Sequence, residues 1–141
     1  MSNGYHHNQQ RESEDVKKLK EVKKDFGDEY ENILNPNRDE NKFINKLKEF
    51  MDKNARQIST SQLRNVFSKI KNLNEKKYEE IYSLRPKLAY VYGRSDSNAM
   101  KKLIVLLDDQ IQKVKSSEQL KMFKSFFESV IAYHKFYGGK N

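Results

Sequence analysis

The segment from Leu84 to Arg94 combines cations, tyrosines and aliphatic side chains at helical spacing. On a helix, which turns about 100° per residue, one apolar stripe is formed by Leu84, Leu88, Val91 and Tyr92. The flank beside this stripe carries Lys87, Tyr90 and Arg94. Such a helix can pack inward through its stripe and hold a polyanion at its basic and aromatic edge. An ordinary amphipathic helix with solvated cations fits this segment equally well.

A second polar group recurs at steps of three and four residues, on a helix face away from Leu63 and Phe67. Its members are Ser61, Arg64, Ser68 and Lys71. The hydroxyls and free amides at the start of that helix, with Arg56 just upstream, favour phosphate binding. The last helix has a further polar face, which consists of Lys121, Lys124, Ser125, Glu128 and Lys135. Solvated lysines are common, but several cationic faces on one small protein favour a polyanionic ligand.

Residues suited to catalysis are few. His6 and His7 lie in a polar tail, and His134 falls on the apolar stripe of the last helix, where a packing role is the better interpretation than that of a ribonuclease base. Asp108 and Asp109 are adjacent, so their side chains point about 100° apart and do not converge on a metal. There is no glycine-rich phosphate loop and no spacing typical of metal ligands. We therefore expect no enzymatic activity, no metal and no cofactor.

The charge distribution favours nucleic acid over a membrane as partner. The net charge is +8, yet residues 1–38 contain seven Lys/Arg and eight Asp/Glu, so the excess lies within residues 39–141. A basic folded body indicates a shaped surface for a polyanion. No segment approaches the roughly 20 apolar residues of a membrane span, and cysteine is absent. The expected location is the cytoplasm.

The pattern of elements predicts an all-α protein, a compact bundle of about five helices with a poorly ordered or loosely docked N-terminal segment. Residues 1–11 are expected to be disordered, and a weak helical period follows over residues 12–34, interrupted at Gly27. A turn at residues 35–38 marks the predicted boundary between a flexible segment, 1–38, and a basic helical-bundle domain, 39–141.

Five helix starts are predicted within that domain, mostly from residues that cap helices. They are Asp39, Ser59–Ser61, Asn74, Ser95–Ser97 and Ser116–Ser117. Pro86 should kink or restart the third helix, and Gly93 is expected to end it. The last helix should run to Gly138 and Gly139. The short connections predict antiparallel packing of neighbours.

Three segments in order resemble the small helical subunit of the type III-A CRISPR effector, the Csm complex. They are Ile58–Arg64, Leu84–Arg94 and Phe127–Gly139. The resemblance covers roughly Phe43 to Lys140, and residues 1–38 have no counterpart in it. It implies an all-helical protein without catalytic activity, several copies of which stack in the minor filament of a crRNA-guided complex used in antiviral defence.

The resemblance also implies partners and site residues. The partners are crRNA and target RNA, other copies of the chain, the crRNA-binding backbone subunit and the large subunit. The RNA-binding positions fall on Arg56, Ser61, Gln62, Arg64, Lys87, Tyr90, Arg94 and Lys135. Such a subunit should contact RNA backbones irrespective of sequence. Two alternatives stay open, a helical adaptor that recruits an acidic protein and a generic RNA-binding helical protein.

Overall fold

The computed structural model describes residues 12–139, and this part of the chain is helical without strands. Its six α-helices are α1 (Glu14–Phe26), α2 (Glu40–Asn54), α3 (Thr60–Lys71), α4 (Arg85–Arg94), α5 (Asn98–Lys113) and α6 (Ser117–Phe136). Short 3-10 helices occupy Gly27–Asn32, Ala55–Gln57 and Glu75–Leu84. The predicted all-α fold is confirmed. The expected disorder of residues 1–11 lies outside the described residues.

Side-chain caps explain where four of these helices begin. The side chain of Asp39 accepts a hydrogen bond from the amide of Lys42, at 3.1 Å. The hydroxyls of Ser59, Ser97 and Ser116 accept equivalent bonds from amides three residues later. Each cap satisfies an amide that the first turn of a helix leaves without a partner. The predicted starts of α2, α3, α5 and α6 are therefore confirmed.

The third predicted helix differs from the expectation in two respects. Its first part, Glu75–Leu84, is a 3-10 helix broken at Lys77, whose φ and ψ are −119° and 50°. α4 restarts at Arg85 with Pro86 in its first turn, where the missing proline amide costs no hydrogen bond. Gly93 was expected to end this helix. Instead, α4 continues to Arg94, and its C-cap is Ser95.

The hydrophobic core lies around α5 and is rich in phenylalanine. The buried side chains of α5 include Leu103, Leu106, Leu107 and Ile111. From α6, Phe123, Phe126 and Phe127 are completely buried. Aromatic pairs join the helices, among them Phe43–Phe126, with ring centroids 6.1 Å apart, and Phe67–Phe127, at 5.3 Å. No helix among the described residues is both long and apolar enough to cross a bilayer.

The N-terminal helix packs into this same core. Val22 and Phe26 of α1 are fully buried, as is Ile33, and the Phe26 ring lies 5.2 Å from that of Phe50. Polar contacts support the packing, since Lys102 of α5 donates to Asp25 at 2.7 Å. The predicted boundary at residue 38 stays a prediction, although residues 14–34 share one core with the helices after it. The physical reason is that α1 presents a narrow but continuous apolar edge to α5.

Candidate nucleic-acid interface

Two helices of this bundle contain no acidic residue. α3 and α4 carry six cations, Arg64, Lys69, Lys71, Arg85, Lys87 and Arg94, and no Asp or Glu. Arg85 pairs with Asp108 of α5, its Nε 2.8 Å from a carboxylate oxygen. The other five form no ion pair with a carboxylate within residues 12–139. We call Arg64, Lys69, Lys71, Lys87 and Arg94 the cationic set.

Lys69 of α3 and Lys87 of α4 are neighbours, so two like charges lie close together. Partial burial lowers the pKa of Lys87, and the positive charge of the neighbouring Lys69 lowers that pKa further. Two ammonium groups held together without a carboxylate repel one another, and a phosphate between them would remove that repulsion. Lys87 is a predicted site residue, whereas Lys69 is not.

Arg94 and Tyr90 form the aromatic edge of α4. The guanidinium carbon of Arg94 lies 5.6 Å from the centroid of the Tyr90 ring, and its Nη1 is 3.5 Å from the tyrosine hydroxyl. The Tyr90 side chain is 64% exposed although it is large and apolar. The arrangement presents a flat ring and a cation side by side. Such a pair can contact the sugar and phosphate of a single strand.

A second group of predicted residues meets where α3 begins and α6 ends. Arg64 and Lys135 line one small cavity of about 240 Å³, together with Thr60 and His134. The two cations come from positions 71 residues apart in the chain. Two cations at the N-terminal end of α3, where the helix dipole is positive, give the cavity the charge that a phosphate group requires.

Three further predicted residues lie near this helix start. Ser61 is exposed, and its hydroxyl is 3.2 Å from that of Ser59, whereas the side chain of Gln62 is half-buried. Arg56 already has partners, because its guanidinium donates to the carbonyls of Asp52, at 2.6 Å, and Tyr137, at 3.2 Å. Arg56 therefore ties the end of α6 to α2. Its predicted contact with RNA stays a prediction.

His134 has the packing role that the sequence favours. Its side chain is 4% exposed, and its Nε2 donates a hydrogen bond of 2.8 Å to the carbonyl oxygen of Ile58.

The adjacent carboxylates Asp108 and Asp109 have separate partners. Asp108 pairs with Arg85, whereas Asp109 contacts Tyr30 and Lys113. Burial and the contact with Asp109 raise the pKa of Tyr30. In the part of the chain described, no three His, Cys, Asp or Glu side chains group as metal ligands would.

Comparison with known proteins identifies one family. The family model described as Csm2 Type III-A matches residues 37–140. A relative from Streptococcus thermophilus, "CRISPR system Cms protein Csm2", is 33% identical over 94 residues, which are 60% of this chain and 76% of the relative. No solved structure matches the chain. Helix α1 and the 3-10 helix after it precede the range that the family model matches.

Proposed function

The chain belongs to the Csm2 family of type III-A CRISPR systems and is a small subunit of a Csm complex, and we propose that it binds the backbone of crRNA or target RNA without reading its sequence. In the same proposal, copies of the chain stack in the minor filament of the complex, and the subunit itself performs no catalysis. The observation that carries the proposal is the cationic set, five cations on two helices that contain no carboxylate.

The chemistry of these groups supports backbone contact. Lysine and arginine side chains bind phosphates wherever they occur along a strand, because phosphates repeat regularly whatever the bases are. Most phenylalanines of the chain are buried in the core, so few rings remain for stacking on bases, with Tyr90 and Phe136 the most exposed. Recognition of many guide sequences requires this mode of binding, because a reader of base edges would exclude most guides.

A charge-reversal experiment tests the proposal. Arg64, Lys87 and Arg94 are changed together to Glu, and binding to a single-stranded RNA is measured by filter retention at fixed salt. The control variant changes Lys17, Lys42 and Lys76 to Glu, which alters the net charge equally at exposed lysines that have no ion pair among residues 12–139. We expect the first variant alone to lose binding, with the helical circular dichroism of both preserved.

Three outcomes would contradict the proposal or the contacts assigned in it. Equal losses in the two variants would show that only net charge matters, which would favour non-specific attraction over a site. Equal retention of polyglutamate and RNA by the unmodified protein at matched salt would favour the adaptor for an acidic protein instead. A variant that unfolds would assign the three cations to the structure of the bundle and refute the assigned contacts.

A further inference from the structure

A groove lies between α1, α4 and α5, and no residue of the cationic set is in its lining. Its volume is about 680 Å³, within the range of cavities that hold ligands or side chains of partners. The apolar lining includes Val16 and Leu19 of α1, Leu88 and Ala89 of α4, and Ile104 and Val105 of α5. Val16 is 43% exposed and is one of three large apolar side chains that the described residues leave open to solvent. The groove therefore has apolar surface available for a partner.

Acidic groups line the edges of this groove. Glu14, Asp15, Asp108 and Asp109 lie along it, whereas Arg85 is the one cation in its lining. Arg85 pairs with Asp108, and Lys101 and Lys113 pair with Glu14 and Asp109 from outside the lining, so Asp15 is the one carboxylate of the lining that has no ion pair in the described part of the chain. An RNA strand would meet carboxylates here, so the groove fits an apolar segment that bears positive charge.

The end of α6 has that chemistry. Phe136, in its last turn, is 70% exposed, the most exposed large apolar side chain of the described residues. It follows Lys135, and the sequence contains no Asp or Glu after Glu128. The rings of Tyr133 and Tyr137 support Phe136 edge-on, at 6.3 and 4.9 Å, without covering it. Large aromatic side chains are enriched in protein interfaces, so an exposed ring that its neighbours hold in place is suited to contact a partner.

We infer that the groove between α1, α4 and α5 receives Phe136 and the end of α6 from a second copy of the chain. The two surfaces share no residue and lie on different helices, so each copy can use both at once. Contacts of this kind are heterologous and produce an open stack rather than a closed pair. The inference rests on the proposed stacking and names the surfaces that carry it.

Cross-linking tests this arrangement directly, because the chain contains no cysteine. Ala89→Cys places a thiol in the groove, and Ala132→Cys places one on α6 a single turn before Phe136, with both alanines exposed. The two variants are mixed and treated with a short bismaleimide. The control mixture replaces Ala132→Cys by Asn65→Cys, at an exposed position of α3. We expect cross-linked heterodimer from the first mixture and little from the control.

Removal of the ring gives the second measurement. When Phe136→Ser is added to the Ala132→Cys protein, the yield of heterodimer at limiting concentration should fall about tenfold, because a buried phenylalanine contributes at least one decade of affinity. Equal yields from the two mixtures, or no effect of Phe136→Ser, would overturn the inference. So would cross-linking of Ala89→Cys to a different subunit in the assembled complex.

Sedimentation velocity of the unmodified chain, with and without RNA, distinguishes failure of the proposed stacking from failure of the assigned surfaces. Association without the cross-link between positions 89 and 132 would refute the assigned surfaces and leave the proposed stacking intact. Absence of association at every concentration would refute the stacking itself.

Discussion

At position 139 the lack of a side chain is a packing requirement. The amide of Gly139 donates to the carbonyl of His134 at 2.7 Å, and a Cβ built on Gly139 would lie 2.2 Å from the His134 ring. The ring cannot move freely, because it is buried and its Nε2 bonds to Ile58. This glycine thereby secures the contact between the end of α6 and the residue just before the cap of α3.

We predict opposite effects of two glycine-to-alanine changes. Gly139→Ala should lower the free energy of unfolding by about 1 to 2 kcal/mol, because the new methyl group overlaps the imidazole. Gly93→Ala is the control, since it lies inside α4 with nothing within 4 Å of a Cβ, and it should raise stability by roughly 0.5 to 1 kcal/mol. Urea unfolding at neutral pH measures both. An unchanged midpoint for Gly139→Ala would contradict the steric argument.

The closeness of Lys69 to Lys87 gives a prediction about ionisation. Lys69→Met removes one charge, so the pKa of Lys87 should rise towards its ordinary value. The sign follows from the fact that a neighbouring cation disfavours the protonated form. NMR titration of ¹³C-methylated lysines measures the change, with Lys71→Met on the same helix as the control. A Lys87 pKa that does not respond to Lys69→Met would separate the two side chains in solution.

At the scale of elements, features that local sequence determines could be predicted better than features that tertiary contacts determine. The starts at Asp39, Ser59, Ser97 and Ser116 could be predicted because a cap is formed by residues three apart. The 3-10 helix Glu75–Leu84 could not, because apolar residues at steps of three and four suit either kind of helix. The closeness of Lys69 to Lys87 depends on how α3 and α4 pack. Even so, the absence of carboxylates from α3 is visible in the sequence and could have indicated Lys69.

The packing of α1 into the core was difficult to predict from the sequence, because Gly27 interrupts the helical pattern of apolar residues. Phe26→Ala should lower the free energy of unfolding by about 3 to 5 kcal/mol, because the ring is fully buried against Phe43, Phe50 and Tyr30. Val16→Ala, at an exposed position of the same helix, should change it by less than about 0.5 kcal/mol.

The shape of the unfolding curve shows whether α1 unfolds together with the rest of the bundle. Because α1 shares its core with α2 and α5, circular dichroism and tyrosine fluorescence should report one coincident transition in both proteins. Two separate transitions, or a Phe26→Ala variant as stable as the parent, would instead support a flexible segment 1–38 that is independent of the remaining domain.

At the scale of the whole molecule, the distribution of charge matters more than its sum. The groove between α1, α4 and α5 is acidic, whereas α3 and the outer edge of α4 are basic, although the chain as a whole is positive. α4 contributes to both surfaces, with Leu88 and Ala89 in the groove and Lys87 and Arg94 in the cationic set. In the proposed stack, successive copies would therefore present their cations in a repeating row to one RNA strand.

This arrangement predicts how salt changes RNA affinity. If the five residues of the cationic set contact one phosphate each, the logarithm of the binding constant should fall with the logarithm of salt concentration with a slope of about −3.5, since each contact with single-stranded RNA contributes about 0.7. Lys87→Gln should reduce the steepness by about 0.7, whereas Lys42→Gln, at an exposed lysine of α2, should leave it unchanged. Fluorescence anisotropy on two RNAs of equal length and unrelated sequence should give the same slopes and affinities, because phosphates are common to both. A slope that Lys87→Gln does not alter, or a strong preference for one sequence, would mean that RNA is held elsewhere on the molecule.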